Sequence, residues 1–160
     1  HGVPGAPELP CFGVKFQTFA PVARTLWTGL SGETYPDRCK GGVFGCHEEV
    51  PHIEPALVPQ DCGLHVGTRQ FTLEQHNQTA AALTIEQADA PFAFSALPNT
   101  AQEIEAAQHI TELPATGRTS VTILGAARGV GGIDSWGTDV EEPYRVSGEG
   151  EHRVAFRIVL

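Results

Sequence analysis

The residue whose type and setting best suit chemistry is Trp136, carried in the run GVGGIDSWG from Gly129 to Gly137 between two strand-like segments. Gly129, Gly131, Gly132 and Gly137 allow backbone torsions closed to other residues, and the run delivers the indole beside Asp134 and Ser135. An indole projected from a glycine-rich loop at a strand end offers a flat surface on which the apolar face of a sugar stacks. A tryptophan that merely fills a core is more often carried on a regular element. The alternative is a turn whose Trp136 plugs the edge of a sandwich. The run is not a dinucleotide loop, because the GxGxxG spacing places Asp134 where its last glycine belongs. Ser135 lacks the G-x-S-x-G surroundings of an activated serine.

Hydrolysis of a glycoside needs two carboxylates facing each other across the bond, roughly 5–5.5 Å apart in a retaining enzyme. Glu48-Glu49 and Glu141-Glu142 are adjacent pairs. Neighbours on an extended chain point to opposite faces, so neither pair can flank one bond, and both read as solvated charge. Cys39, Cys46, His47, His52, Cys62 and His65 lie close in sequence, but none of the paired C-x2-C knuckles of a structural zinc site occurs among them. HEEVPH, from His47 to His52, fails the HExxH pattern because its second histidine is one residue late and Pro51 blocks the helix. No metal site is therefore expected. With Cys11, four cysteines allow three pairings and no spacing chooses among them. His109 reads as a packing or capping histidine after a helix. Asn77-Gln78-Thr79 forms a glycosylation sequon that matters only on a secretory route.

The elements that must position these residues are mostly short strands. Phe12, Val14 and Phe16 alternate with polar or small residues, which predicts a strand with one buried face. Further strands are expected at Thr25–Trp27, Val43–Val50, Leu64–Leu73, Ala80–Ile85, Pro91–Leu97 and Arg118–Leu124. In the last segment, His152–Leu160, Val154, Phe156, Ile158 and Leu160 would share one face. Residues 1–10 and 31–42 are irregular and rich in turn formers. One helix is expected near 100–109: Thr100 and Glu103 form a capping box, Ile104, Ala107 and Gln108 follow at helical spacing, and Pro114 bounds the far end. Many short strands, one short helix and abundant Gly and Pro predict an all-β, antiparallel sandwich.

The 160 residues suffice for one domain, 1–160, with a real core. A net charge of −9 argues against nucleic acid or an anionic membrane as partner. No apolar run approaches a membrane span and no signal peptide is expected. A first residue His1 and the absence of methionine suggest a processed product or a piece of a longer chain.

Four blocks of the sequence, in order, resemble one family. Phe94–Pro114 reads FSALPNTAQEIEAAQHITELP, and GVGGIDSWG then leads to EEPYRV. These are similar to the FSALPYTPEELEAAKH…ELP and GVGGDDSWG…PEYRL blocks at the C-terminal end of glycoside hydrolase family 2 β-galactosidases. WTGLSGETYPDR, from Trp27 to Arg38, resembles the family's WxGxGPxENYPDR, and PQDCGLHVGTR, from Pro59 to Arg69, resembles PxENGxRxxxR. The departures are Ile133 for the first Asp of GDDSW, Ser31-Gly32 for Gly-Pro, Thr34 for Asn, and Asp61-Cys62 for Glu-Asn.

The resemblance implies the second half of a C-terminal sandwich of the galactose-mutarotase-like kind, an incomplete super-sandwich with edges left open or paired with another chain. It implies no catalytic residue here, since the family's two glutamates lie in a separate barrel domain. Trp136 would be the platform for the non-galactose part of the substrate, with Asp134 and Ser135 shaping its loop. Stacking there would contribute about 1–2 kcal/mol. Tyr35, Asp37, Arg38 and Arg69 would be structural. The resemblance further implies a galactoside substrate such as lactose, a barrel-containing remainder or large chain as partner, an oligomeric whole enzyme and a bacterial cytoplasmic setting with reduced thiols. No cofactor is expected in this chain; the family's Mg and Na ions are bound elsewhere. The rival readings are a free-standing carbohydrate-binding module, a mutarotase-like epimerase using a His and a Glu across a groove, and a purely structural piece with Trp136 in its core.

Overall fold

A computed structural model describes residues 2–75 and 82–160. Among these residues, nine strands form two antiparallel sheets: β1 (Cys11–Gln17), β2 (Val22–Leu30), β3 (Phe44–Glu49), β4 (His65–Thr68), β5 (Gln70–Gln75), β6 (Leu83–Gln87), β7 (Phe92–Leu97), β8 (Ser120–Ala127) and β9 (Phe156–Val159). One sheet has the order β1-β8-β7-β4 and the other β3-β2-β5-β6-β9. With one short helix beside them, this is the all-β sandwich that the strand pattern predicts.

The core lies between the sheets. Phe92, Phe94, Ala96, Val121 and Ile123 from one layer meet Val22, Trp27, Phe71, Leu73 and Ile85 from the other. Phe71 and Phe94 stack face to face across the layers with ring centres 4.3 Å apart. Trp27 is 5% exposed and donates its indole N–H to the Leu30 carbonyl at 2.9 Å, so a regular strand carries the tryptophan that fills the core. Every residue of β7 is buried, because smaller apolar clusters cover the outer face of its sheet. Leu64, Ala93 and Leu124 form one, and Cys62, Leu97 and Ile104 the other.

Several elements depart from the sequence expectation. The stretch Leu64–Leu73 is not one strand but two: β4 belongs to the first sheet and β5 to the second, with only Arg69 between them. Gly67 adopts φ +68°, a backbone that glycine accepts without strain. Thr25–Trp27 is the middle of a nine-residue strand. β1 is an outermost strand, so Val14 stays exposed while Phe16 packs against the core. The last strand covers only Phe156–Val159. Val154 and Phe156 pack on the core, but Ile158 and Leu160 are exposed beyond it on the sheet edge. The strand expected at Ala80–Ile85 is seen from Leu83 onward. Ala80 and Ala81, like the Asn77 sequon, lie outside the described residues.

The helix α1 (Ala101–Ala106) carries the predicted capping box, with Thr100 Oγ1 accepting the Glu103 N–H and the Glu103 carboxylate accepting the Thr100 N–H. It stops short of 109 because Ala107 is already extended. Beyond it, the Glu112 carboxylate takes the Gln108 N–H at 2.9 Å and pairs with His109 at 3.1 Å. His109 is therefore an exposed partner of Glu112, neither packed nor capping. No helix is long and apolar enough to cross a membrane among the described residues.

Candidate functional site

After β8 the chain leaves the sandwich and returns as a loop closed at its base, where Gly129 N–H donates to the Tyr144 carbonyl at 2.9 Å. Just outside that closure, Leu9 and Val146 form a bridge and Arg128 N–H donates to the Pro10 carbonyl. Buried Val140 fills the space under Gly131, where a Cβ would come within 3.2 Å of its methyl. The tip is organised by Asp134. Its carboxylate accepts the Trp136 N–H at 2.9 Å and the Thr138 hydroxyl at 2.5 Å. Those bonds, the Thr138 hydroxyl first, hold the carboxyl below its ordinary pKa. Ser135 sits exposed in the same turn. Trp136 is 90% exposed. The reading in which this indole plugs the sandwich edge or fills its core is thus corrected, since the loop carries it outward with the core already complete beneath.

The segment expected to brace the sandwich is directed at this loop. Residues 35–38 form a tight turn, with Tyr35 and Arg38 bridged through their backbones. Thr34 ties the turn to the sheet by accepting the Val66 N–H at 2.9 Å. From the turn, the Asp37 carboxylate accepts the N–H groups of Val130 at 3.0 Å and Gly131 at 2.8 Å, and the Arg38 guanidinium donates to the Gly131 carbonyl. The Asp37 side chain is 6% exposed. Burial opposes its charged form, but the amides of Gly131 and Val130, with its own amide and Arg38, outweigh that and leave its pKa lowered. Gly129 is required here by space, because a Cβ would lie 2.6–2.9 Å from the Asp37 carboxylate. Tyr35 is half-buried against the outer apolar cluster of Leu64, Ala93 and Leu124. Arg69 does not join the group. It stands at the β4–β5 crossing with its guanidinium 4.7 Å over the Phe44 ring.

Two polar features escaped sequence reasoning. At the loop stem, Arg128 and Arg145 both reach Asp139 and Glu8, at 2.5–3.6 Å, and Arg145 Nε donates to the Val140 carbonyl at 2.7 Å. The second lies in the core. His65 is 1% exposed, stacked between Trp27 and Phe94 with centroids 4.4 and 4.9 Å away. Its Nδ1 faces the Gly32 carbonyl at 2.8 Å and its Nε2 the Glu49 carboxylate at 3.0 Å. Each ring nitrogen thus faces an oxygen partner inside the core. Glu49 is therefore not solvated charge as its position in HEEV suggested. The alternation argument does hold for its neighbour, since Glu48 points the other way and pairs with Arg24.

Glu141 and Glu142 are exposed at a single helical turn. A cleft of about 470 Å³ lies over the outer face of the first sheet, lined by Lys15, Tyr35, Asp61, Ser95, Asn99 and Thr122 among others. Among the described residues, neither His nor Glu lines it. Among the described residues, no three His, Cys, Asp or Glu side chains converge as a metal site would require, and all four cysteines are free thiols.

Residues 2–160 match the family model described as Beta galactosidase small chain. The chain is 47% identical over 167 residues to a β-galactosidase small subunit from Latilactobacillus sakei, covering 99% of this chain and 52% of that one. It is 33% identical to a β-galactosidase from Streptococcus thermophilus over 98% of its length, and 31% identical to one from Halalkalibacterium halodurans over 95%, in each case 15% of the relative. It thus spans about half of the small subunit and a small share of the longer enzymes. A match that runs the length of the chain, over a sandwich that holds the glycine loop and its anchoring turn, settles the family: this chain belongs to the β-galactosidase small chains.

Proposed function

We propose that this chain is the sandwich portion of a retaining β-galactosidase that hydrolyses terminal β-D-galactosides such as lactose in the bacterial cytoplasm. Its role is to complete an active site whose two catalytic glutamates belong to the barrel of a large chain, with the whole enzyme an oligomer. The observation that carries this reading is Trp136, 90% exposed at the tip of a loop whose base is fixed to the sandwich. A large aromatic held out in water by a built loop costs free energy unless something covers it. A barrel with bound sugar supplies both a cover and a stacking partner, and Asp134 and Ser135 shape the tip that enters it. Chemistry is left to the large chain, since Glu48 pairs with Arg24, Glu49 is bonded to buried His65, and Glu141 and Glu142 stand at one turn. Ions that such an enzyme uses would be held outside this chain.

The test is complementation. The chain alone should not hydrolyse a chromogenic β-galactoside; activity should appear on adding the large chain, and Trp136→Phe should weaken it about tenfold, the worth of one stacking contact. Hydrolysis by the pure chain would overturn the proposal. Tight binding of galactosides by the chain alone, with no gain on adding the large chain, would favour a free-standing binding module instead.

A further inference from the structure

We infer that Asp37 is the positioning residue for Trp136, setting the direction in which the loop presents its indole; this rests on the reading of Trp136 given above. Among the described residues, the loop tip carries its own turn and no side-chain bond from it reaches the sandwich. The Asp134 contacts all lie within residues 134–138. Gly131, Gly132 and Gly137 all take positive φ, so the backbone between base and tip bends at residues with the fewest steric limits. What fixes its exit angle is the pair of N–H groups at Val130 and Gly131, both received by one carboxylate that is itself nearly buried. Arg38 holds the following peptide through the Gly131 carbonyl.

Only a carboxylate suits this geometry. Its two oxygens accept from two successive amides, one each, at 3.0 and 2.8 Å. An asparagine would turn an NH2 group toward one of those N–H donors, setting donor against donor and releasing that side of the loop. The close approach also explains Gly129, whose missing Cβ leaves room for the carboxylate. The contact joins residues 94 apart in sequence, so the YPDR turn and the GVGG run form one device split between two distant segments.

The experiment has two arms. On the full chain, 15N relaxation of the Trp136 indole and of the Val130 and Gly131 amides is compared in the natural protein and in Asp37→Asn, with the Trp27 indole as rigid reference. On the enzyme assembled with its large chain, kcat/KM is measured for Asp37→Asn, Trp136→Phe and the double variant. Added motion at Trp136 with Trp27 unchanged, a loss of about tenfold in each single variant, and a double variant no worse than Trp136→Phe support the inference. Unchanged relaxation overturns it, as do losses that multiply in the double variant, because Asp37 would then act elsewhere. Should Asp37→Asn fail to fold, Gly129→Ala disturbs the same contact from the other side and is read in the same way. If Trp136→Phe has no kinetic effect, the reading of Trp136 as a substrate platform falls, while the relaxation arm still decides whether Asp37 positions the loop.

Discussion

Two tryptophans with one chemistry stand in opposite settings here. Trp27 packs against His65 and Phe94 with its N–H satisfied, while Trp136 lies in water with its backbone N–H bonded to Asp134. Their substitutions should therefore part cleanly in a denaturation experiment. Trp27→Ala removes a large buried side chain and should cost about 3–5 kcal/mol, whereas Trp136→Phe should stay within about 0.5 kcal/mol of the natural chain. Urea unfolding monitored by circular dichroism distinguishes them, and a large loss for Trp136→Phe would mean the indole packs on the sandwich. That a glycine-rich run lifts Trp136 off the sandwich was legible in the sequence. Asp37 as its anchor was not, because the partners lie 93 and 94 residues away and no local pattern marks them. Glu49 misled for the opposite reason: its charged neighbourhood reads as surface, yet the strand turns it toward a buried histidine.

At the scale of elements, the capping box around α1 shows what local pattern can supply. Thr100 and Glu103 satisfy each other's backbone N–H as their spacing requires, and a helix of six residues needs that help because isolated short helices are marginal. Thr100→Ala should lower stability by about 1 kcal/mol, with the effect read in the same unfolding assay; no change would mean that the packing of Ile104 alone holds the turn. Local pattern failed at Leu64–Leu73, and in retrospect the register of apolar residues contained the warning. Leu64 and Val66 fall on even positions, Phe71 and Leu73 on odd ones. A single strand keeps one parity on each face, so the apolar residues move from the outer face in β4 to the core face in β5. The core-facing position of β4 is taken by His65, at the same parity as Phe71 and Leu73, while Leu64 and Val66 join the outer cluster.

For the molecule as a whole, the edges matter as much as the core. β3 and β9 bound the five-stranded sheet with one hydrogen-bonded neighbour each, and Ile158, Val159 and Leu160 are exposed on or beside β9. Unpaired, apolar strand edges invite pairing with another chain. The isolated chain should accordingly self-associate in a concentration-dependent way, and Ile158→Lys should reduce that association in sedimentation velocity. A chain that stays monomeric at high concentration with Ile158 intact would show that β9 is already protected. A net charge of −9 opposes such contacts only weakly at physiological salt, where repulsion is screened within about 8 Å.

The crossing at Arg69 has a mechanical consequence. Most sandwiches can in principle be peeled one layer at a time, the connecting loops paying out like slack rope. Here β4 and β5 are separated by a single residue, and its backbone is tied on both sides: Arg69 N–H donates to the Thr28 carbonyl, and its own carbonyl accepts from Gln87. There is no slack at that corner. Pulling either sheet outward loads the other through a rigid stitch, so the two layers should yield together, and the footing of the Trp136 loop should persist until the whole structure gives way.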